Sequence, residues 1–255
     1  MIIEVFHADS LAGPMGQFKK AFEAKNAGIT VNLTSGRSKE LVERILKGDA
    51  CDVFAPSDPQ VAKGMFGQSV NGKEAASWYI TFSANELVVI TKKGNPLGIK
   101  QMGDLAKEGV KFARVTGEKD MATNRTIAFI QKATAGEGKP DAASKIIDGA
   151  IKVNAIPDVL QAVKSDSANA GIVYLSAAVT IAGDVDIIYF PATVNLSEEI
   201  RNVATIPATA THGSQAAAFI RLILSAEGQE ILKKTGQPPI VPPLKEGSVP
   251  SDIAA

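Results

Sequence analysis

Short apolar runs and amphipathic stretches take turns along almost the whole of this chain, and that alternation restricts its fold more than any other feature. The runs at 2–6, 30–33, 52–55, 87–91, 110–114, 170–174, 186–190 and 203–206 have the length of buried strands and are too short for helices. Between them, apolar residues recur at helical spacing. Leu11, Met15, Phe18 and Phe22 step by four, three and four, and Leu41, Val42, Ile45 and Leu46 share one face. The segment 155–163 turns Val159, Leu160 and Val163 inward, and another helix is predicted around Ile127 and Ile130. Ser214 is expected to cap a helix through Phe219, Ile220 and Ile223. The last helix holds Ile231 and Leu232 and stops at Gly236, with Pro238 and Pro239 beyond it in a surface tail. Pro14 suits a first helical turn, and Asp58-Pro59 reads as a cap followed by a first-turn proline. Strands alternating with helices predict parallel α/β sheets. Such sheets bind ligands beyond the carboxyl ends of their strands, against helix starts.

Composition removes several function classes. With 255 residues the chain holds one large domain or two modest ones. Its 27 Lys+Arg balance its 27 Asp+Glu, so no net field gathers nucleic acid or anionic membrane, and no helix-turn-helix is found. Cys51, the single cysteine, makes neither an internal disulfide nor a thiolate cluster and reads as a small buried apolar residue. Two histidines, His7 and His212, are too few for a multi-histidine metal site. No apolar run approaches the ~20 residues needed to span a bilayer. His7, Asp9 and Ser10 are neighbours on one strand end and cannot fold onto each other as a triad, and no nucleophile elbow is present. Asp52 and Asp58 are expected to fix turns and caps.

Three segments have the form strand, polar turn, helix: Phe6-His7-Ala8-Asp9-Ser10-Leu11, Thr34-Ser35-Gly36-Arg37-Ser38 and Lys119-Asp120-Met121-Ala122-Thr123-Asn124-Arg125. Each sets hydroxyls and free N–H groups at a helix start, where the exposed donors and the dipole favour an anion. Serine at such a place also caps helices for stability alone.

These segments carry a resemblance. The first two turns, with Gly48-Asp49-Ala50-Cys51-Asp52-Val53-Phe54-Ala55-Pro56-Ser57-Asp58, resemble the periplasmic molybdate/tungstate-binding proteins of ABC importers. So do Leu87-Val88-Val89-Ile90 with Gly94-Asn95-Pro96-Leu97, and Ala170-Gly171-Ile172-Val173-Tyr174 with Ala177. The ending Ala226-Glu227-Gly228-Gln229-Glu230-Ile231-Leu232 is similar to that family's final helix. No single motif is diagnostic; the ordered set spans nearly the whole chain. Carried over residue by residue, the resemblance implies Ser10 and Ser38 as hydroxyl donors, Ala122 and Ile156 as backbone N–H donors and Tyr174 as a phenolic donor. Five neutral donors stabilise a tetrahedral dianion and leave no buried cation when it departs.

Some positions depart from the simplest neutral site. Asp9 stands where many members have a small residue, and Arg37 and Arg125 flank the proposed donors. Arg125 and Asp120 resemble an arginine and a metal-centre carboxylate ligand of the archaeal tungstate-binding branch. Thr193 stands at the position of that branch's partner glutamate, which argues against its six-coordinate mode. Iron-binding relatives use paired tyrosines, whereas Tyr79, Tyr174 and Tyr189 are not adjacent.

The resemblance implies an α/β, two-lobed periplasmic-binding-protein fold of the second type, with a hinge between two α/β domains. Lobe one is expected over 1–82 plus 195–255 and lobe two over 83–194. Ser10 and Ser38 fall in the first, and Ala122, Ile156 and Tyr174 in the second. The implied function is capture of molybdate or tungstate in the interlobe cleft for an ABC importer permease, without catalysis and without a cofactor, by a monomer. The location is periplasmic or extracellular, with a lipid anchor as an alternative. The second function reading is a binding protein for an organic acid, phosphate or phosphorylated metabolite that uses Arg37 and Arg125, because arginine forks pair with carboxylates and phosphates.

Overall fold

The computed structural model describes residues 1–117 and 121–253. They divide into two units, Met1–Ala84 with Ile200–Ala255, and Asn85–Glu199.

The first unit opens with three strand–helix pairs: β1 (Ile2–Ala8) and α1 (Ala12–Lys25), β2 (Thr30–Gly36) and α2 (Ser38–Leu46), β3 (Val53–Ala55) and the short α3 (Pro59–Lys63). The three strands run parallel in the order β2-β1-β3. Met15, Phe18 and Phe22 on α1 are buried against Ile3, Val5 and Val31, and both phenylalanines meet Phe219 edge-on. Asp58 caps α3 by accepting the Gln60 N–H at 2.9 Å. The small hairpin β4 (Ser69–Val70) and β5 (Lys73–Glu74) leads into β6 (Trp78–Ala84), every residue of which is buried. Asp52 is fully buried and accepts the backbone N–H groups of Glu4, Thr211 and His212 at 2.8, 2.8 and 2.7 Å. It serves structure, as its sequence position suggests.

The second unit contains β7 (Leu87–Lys92), β8 (Phe112–Val115), α4 (Met121–Gly136), α5 (Ala142–Gly149), β9 (Ile151–Val153), α6 (Ile156–Lys164), β10 (Ala170–Tyr174), α7 (Leu175–Ala178) and β11 (Val185–Ile188). Its sheet has the order β11-β7-β10-β8-β9. Strands β8, β9 and β10 are parallel. The helix α6 lies so close over β10 that a Cβ on Gly171 would sit 2.5 Å from Val159 Cγ1, so only glycine fits there.

The chain then returns to the first unit with β12 (Arg201–Ala204), α8 (Gly213–Leu224), α9 (Ala226–Lys234) and β13 (Pro239–Gly247). Here β12 and β13 flank β6, both antiparallel to it.

The expectation of parallel sheets is therefore corrected. It holds for β1–β3 and for β8–β10. It fails for β7, which runs antiparallel to both its neighbours β10 and β11 in the second sheet, and for the whole β12-β6-β13 sheet. A buried strand is apolar throughout whichever way its neighbour runs, so periodicity carries no direction. Several elements lack a sequence signal strong enough to predict them: β6, α5, β9 and β13. In β13, Pro239, Pro242 and Pro243 argue against a strand, yet the segment is an edge whose register breaks between Pro239 and Leu244. Ser214 lies inside α8 rather than capping it; His212 is the cap residue and no side chain closes that end. Among the described residues no helix is long and apolar enough to cross a membrane.

Candidate anion site

In the first unit, β1 and β2 pair with Phe6 opposite Thr34, His7 opposite Ser35 and Ala8 opposite Gly36, so their carboxyl ends are level. Beyond β1 the chain makes a 3-10 turn, Asp9–Leu11, before α1. Beyond β2 it passes through Arg37 directly into α2. Ser10 and Ser38 thus stand at two adjacent strand ends. Arg37 is the cap residue of α2 and makes no side-chain cap, and Ser38 is the first helical residue. Its N–H is one of the donors a helix start leaves outside the intrahelical ladder. Among the described residues, none is hydrogen-bonded to the Ser10 or the Ser38 hydroxyl.

The surroundings of the two serines are otherwise occupied. The Asp9 carboxylate accepts the Ser35 hydroxyl at 2.5 Å, which engages one of its oxygens. Arg37 has 83% of its side chain exposed and pairs with Glu40 at 3.5 Å. His7 is buried, donates from Nδ1 to its neighbour's carbonyl, that of Ala8, at 2.9 Å, and is held below its usual pKa by burial. The Ser10 carbonyl accepts the Gln237 side-chain amide at 2.8 Å.

In the second unit, β8 is level with β9 (Val115 opposite Val153) and parallel to β10 (Ala170 opposite Phe112). All three end on the same sheet edge. Beyond it lie the start of α4, the start of α6 and Tyr174, the last residue of β10. Ala122 is the second residue of α4, and Ile156 the first of α6. The Ile156 N–H precedes the intrahelical ladder, Pro157 has none to offer, and the Asp158 carboxylate accepts the Ala155 N–H at 3.1 Å. Arg125, one turn along α4 from Ala122, donates from Nη1 to the Tyr174 phenol oxygen at 3.5 Å. This contact joins the α4 start to the end of β10. Thr193 is exposed. Asp120, with the rest of residues 118–120, lies outside the described residues.

Each unit therefore collects its sequence-predicted residues on one sheet edge: Asp9, Ser10, Arg37 and Ser38 in the first, Ala122, Arg125, Ile156 and Tyr174 in the second. The Gln237 contact had no sequence signal, since the two residues are 227 positions apart. Cys51 is buried, and burial pushes its thiol far up, away from reactivity at neutral pH. Among the described residues no group of three His, Cys, Asp or Glu side chains could hold a metal ion.

Within each unit the donors stand at strand ends and helix starts, a setting suited to an anion: two hydroxyls in the first, and two helix starts with a phenol in the second. Compared with known families, the chain matches the model described as bacterial extracellular solute-binding protein over residues 3–237. It belongs to that family. Among curated relatives, this solute-binding protein is 28% identical over 240 residues to the molybdate-binding protein ModA of Mycobacterium tuberculosis, covering 92% of this chain and 83% of that one. Among solved structures, it superposes with a TM-score of 0.76 on the substrate-binding domain of a putative molybdenum ABC transporter from Clostridium difficile, at 18% identity and over 94% and 99% of the two chains. For the periplasmic molybdate-binding protein of Azotobacter vinelandii the TM-score is 0.68, at 20% identity and over 92% and 98%. PEB3 bound to L-phospholactate gives 0.66, at 18% identity and over 92% and 99%. The solved structures share the two-lobed periplasmic-binding-protein fold with this chain and do not by themselves choose its anion.

Proposed function

We propose that this solute-binding protein captures a tetrahedral oxyanion, molybdate or tungstate, outside the cytoplasm and delivers it to the membrane permease of an ABC importer, with no chemistry performed on the ligand. The donors are the Ser10 and Ser38 hydroxyls, the Ala122 and Ile156 amides and the Tyr174 phenol. Arg125 adds a positive charge beside the phenol, and Asp9 directs one carboxylate oxygen to Ser35. The observation that carries this reading is that the Ser10 and Ser38 hydroxyls stand at adjacent parallel strand ends and are engaged by no other group among the described residues. A dianion held by neutral donors is well stabilised when bound and leaves no uncompensated cation when released. The similarity to ModA supports the choice of molybdate.

Titration calorimetry with molybdate, tungstate, sulfate and phosphate tests it. Molybdate or tungstate should bind most tightly and raise the melting temperature by mass action. No response to either, with a clear response to citrate or a sugar phosphate, would refute it in favour of the second reading. That second reading, an organic acid or phosphorylated metabolite, draws on Arg125 beside Tyr174 and on the phospholactate-bound relative. It is weakened at Arg37, which is solvated and turned to Glu40.

A further inference from the structure

Behind the Ser10 turn lies a chain of buried polar side chains that the anion reading leaves unused. Gln237 and Asn202 are fully buried, as is Ser83. The Gln237 amide nitrogen donates to the Ser10 carbonyl at 2.8 Å, and its amide oxygen accepts the Asn202 amide nitrogen at 2.8 Å. Asn202 also donates to the Ser83 hydroxyl at 2.9 Å. Ser83 is near the end of β6 and Asn202 near the start of β12. These are the points where the chain leaves the first unit and re-enters it.

A fully buried, uncharged amide with both ends bonded has one geometry it can adopt, and it imposes that geometry on its partners. Removing it leaves the part-buried Ser10 carbonyl without this donor and one N–H of the buried Asn202 amide without its acceptor. Leu11 anchors one end of the turn 9–11 in the core, Asp9 is held by Ser35, and the Ala12 N–H closes the turn on the Asp9 carbonyl; the Ser10 carbonyl between them is held by Gln237. We infer that Gln237 is a positioning residue for the oxyanion site. Its amide fixes the backbone at Ser10, and so the direction of the Ser10 hydroxyl, from β6 and β12, the strands at which the chain leaves and re-enters the unit. The inference rests on the proposed role of Ser10 in binding the anion. Gln237 itself touches no ligand.

Three measurements on the full chain test it. Gln237→Leu should weaken molybdate binding by about tenfold, the scale of one misplaced hydrogen bond. In a Ser10→Ala background the same change should cost little more, because the group it positions is already gone. Gln237→Glu supplies a readout that a purely structural role would not give. In a buried setting the carboxyl group is pushed up in pKa. Its protonated form donates to the Ser10 carbonyl and its ionised form repels it. Affinity, normalised to the natural protein at each pH, should therefore stand near unity at low pH and fall as the pH rises. Gln237→Leu should show no such slope. Finally, amide hydrogen exchange over residues 9–12 should quicken in Gln237→Leu without ligand present, which separates this inference from the oxyanion reading. Unchanged exchange there, or binding costs that simply add in the double variant, would overturn the positioning role. Failure of the natural protein to bind any metal oxyanion would overturn the oxyanion reading and, with it, the role of Gln237 in that site.

Discussion

Ser38→Ala separates binding from folding, because the serine is placed at a helix start and yet caps nothing. A capping serine accepts an N–H from the first turn, and losing it costs about 1 kcal/mol. Ser38 is already inside α2, with Arg37 as the cap residue and no side-chain cap, and none of the described residues bonds its hydroxyl. The substitution should therefore change unfolding free energy by less than about 0.5 kcal/mol, as at an ordinary partly exposed position. If the hydroxyl donates to the oxyanion, its loss leaves a bound dianion short of one donor, worth ~1–3 kcal/mol. That corresponds to a roughly 5- to 150-fold weaker dissociation constant. Ser225→Ala is the matched control. Its hydroxyl caps α9 by accepting the Gly228 N–H at 3.1 Å, so it should lose about 1 kcal/mol of stability and keep its affinity. Calorimetric titration with molybdate and urea unfolding read the two quantities independently. An unchanged dissociation constant in Ser38→Ala, in a protein that binds molybdate, would remove Ser38 from the site. A stability loss of ~1 kcal/mol would show that the serine acts as a cap after all.

Arg125→Ala should weaken oxyanion binding by more than tenfold while Arg37→Ala stays within about twofold, since exposed pairs such as Arg37–Glu40 contribute only ~0–1 kcal/mol; a large loss at Arg37 in the same titration would favour the second ligand class. Asp52→Ala leaves the Glu4, Thr211 and His212 amides without their buried acceptor and should destabilise by on the order of 3–5 kcal/mol in urea unfolding, and a loss below about 1 kcal/mol would show water replacing the carboxylate. His7 is held below its ordinary pKa by burial, so the unfolded chain takes up the proton first as the pH falls. Stability conferred by neutral His7 is full above pH ~6.5 and declines below it; His7→Gln should lack that part of the slope, and parallel stability profiles from pH 7 to 5 would contradict it.

What could be read from the sequence follows the range of the forces involved. The α1 face of Met15, Phe18 and Phe22, with Leu11 just before the helix, and the cap at Asp58 are local patterns, and the structure has them where spacing puts them. Strand direction is not local. Nothing within β7 says that β10 runs the other way, so the parallel expectation failed there. In β6, Thr81 and Ser83 interrupt the apolar run, and the buried Ser83 hydroxyl is met by Asn202, 119 positions away. The site divides in the same way. That Ser10 and Ser38 lie near helix starts follows from the local strand-to-helix pattern, although the expected turn at 34–38 is strand up to Gly36 and passes through Arg37 directly into α2. That neither hydroxyl is taken by another of the described residues, that Asp9 turns to Ser35, and that Gln237 holds the Ser10 backbone all depend on pairings between distant segments.

The strand β6 also sets an order of events for a newly made chain. It is buried along its whole length, with β12 on one edge and β13 on the other, and both follow it in sequence only after the entire second unit. Whether the chain emerges from a ribosome or from an export channel, N-terminus first, Trp78–Ala84 arrives with neither neighbour available. At about 5–20 residues per second, the delay before β12 appears is roughly 6–25 s. For that interval an apolar strand with two open edges is a template for pairing with other chains, the usual route to aggregation. The uninterrupted stretch Asn85–Glu199 has all its own strands in hand and can complete its sheet first. A chain cut short before Pro239 would leave one edge of β6 open for good, so loss of the C-terminal strand should be felt as insolubility before it is felt as loss of ligand.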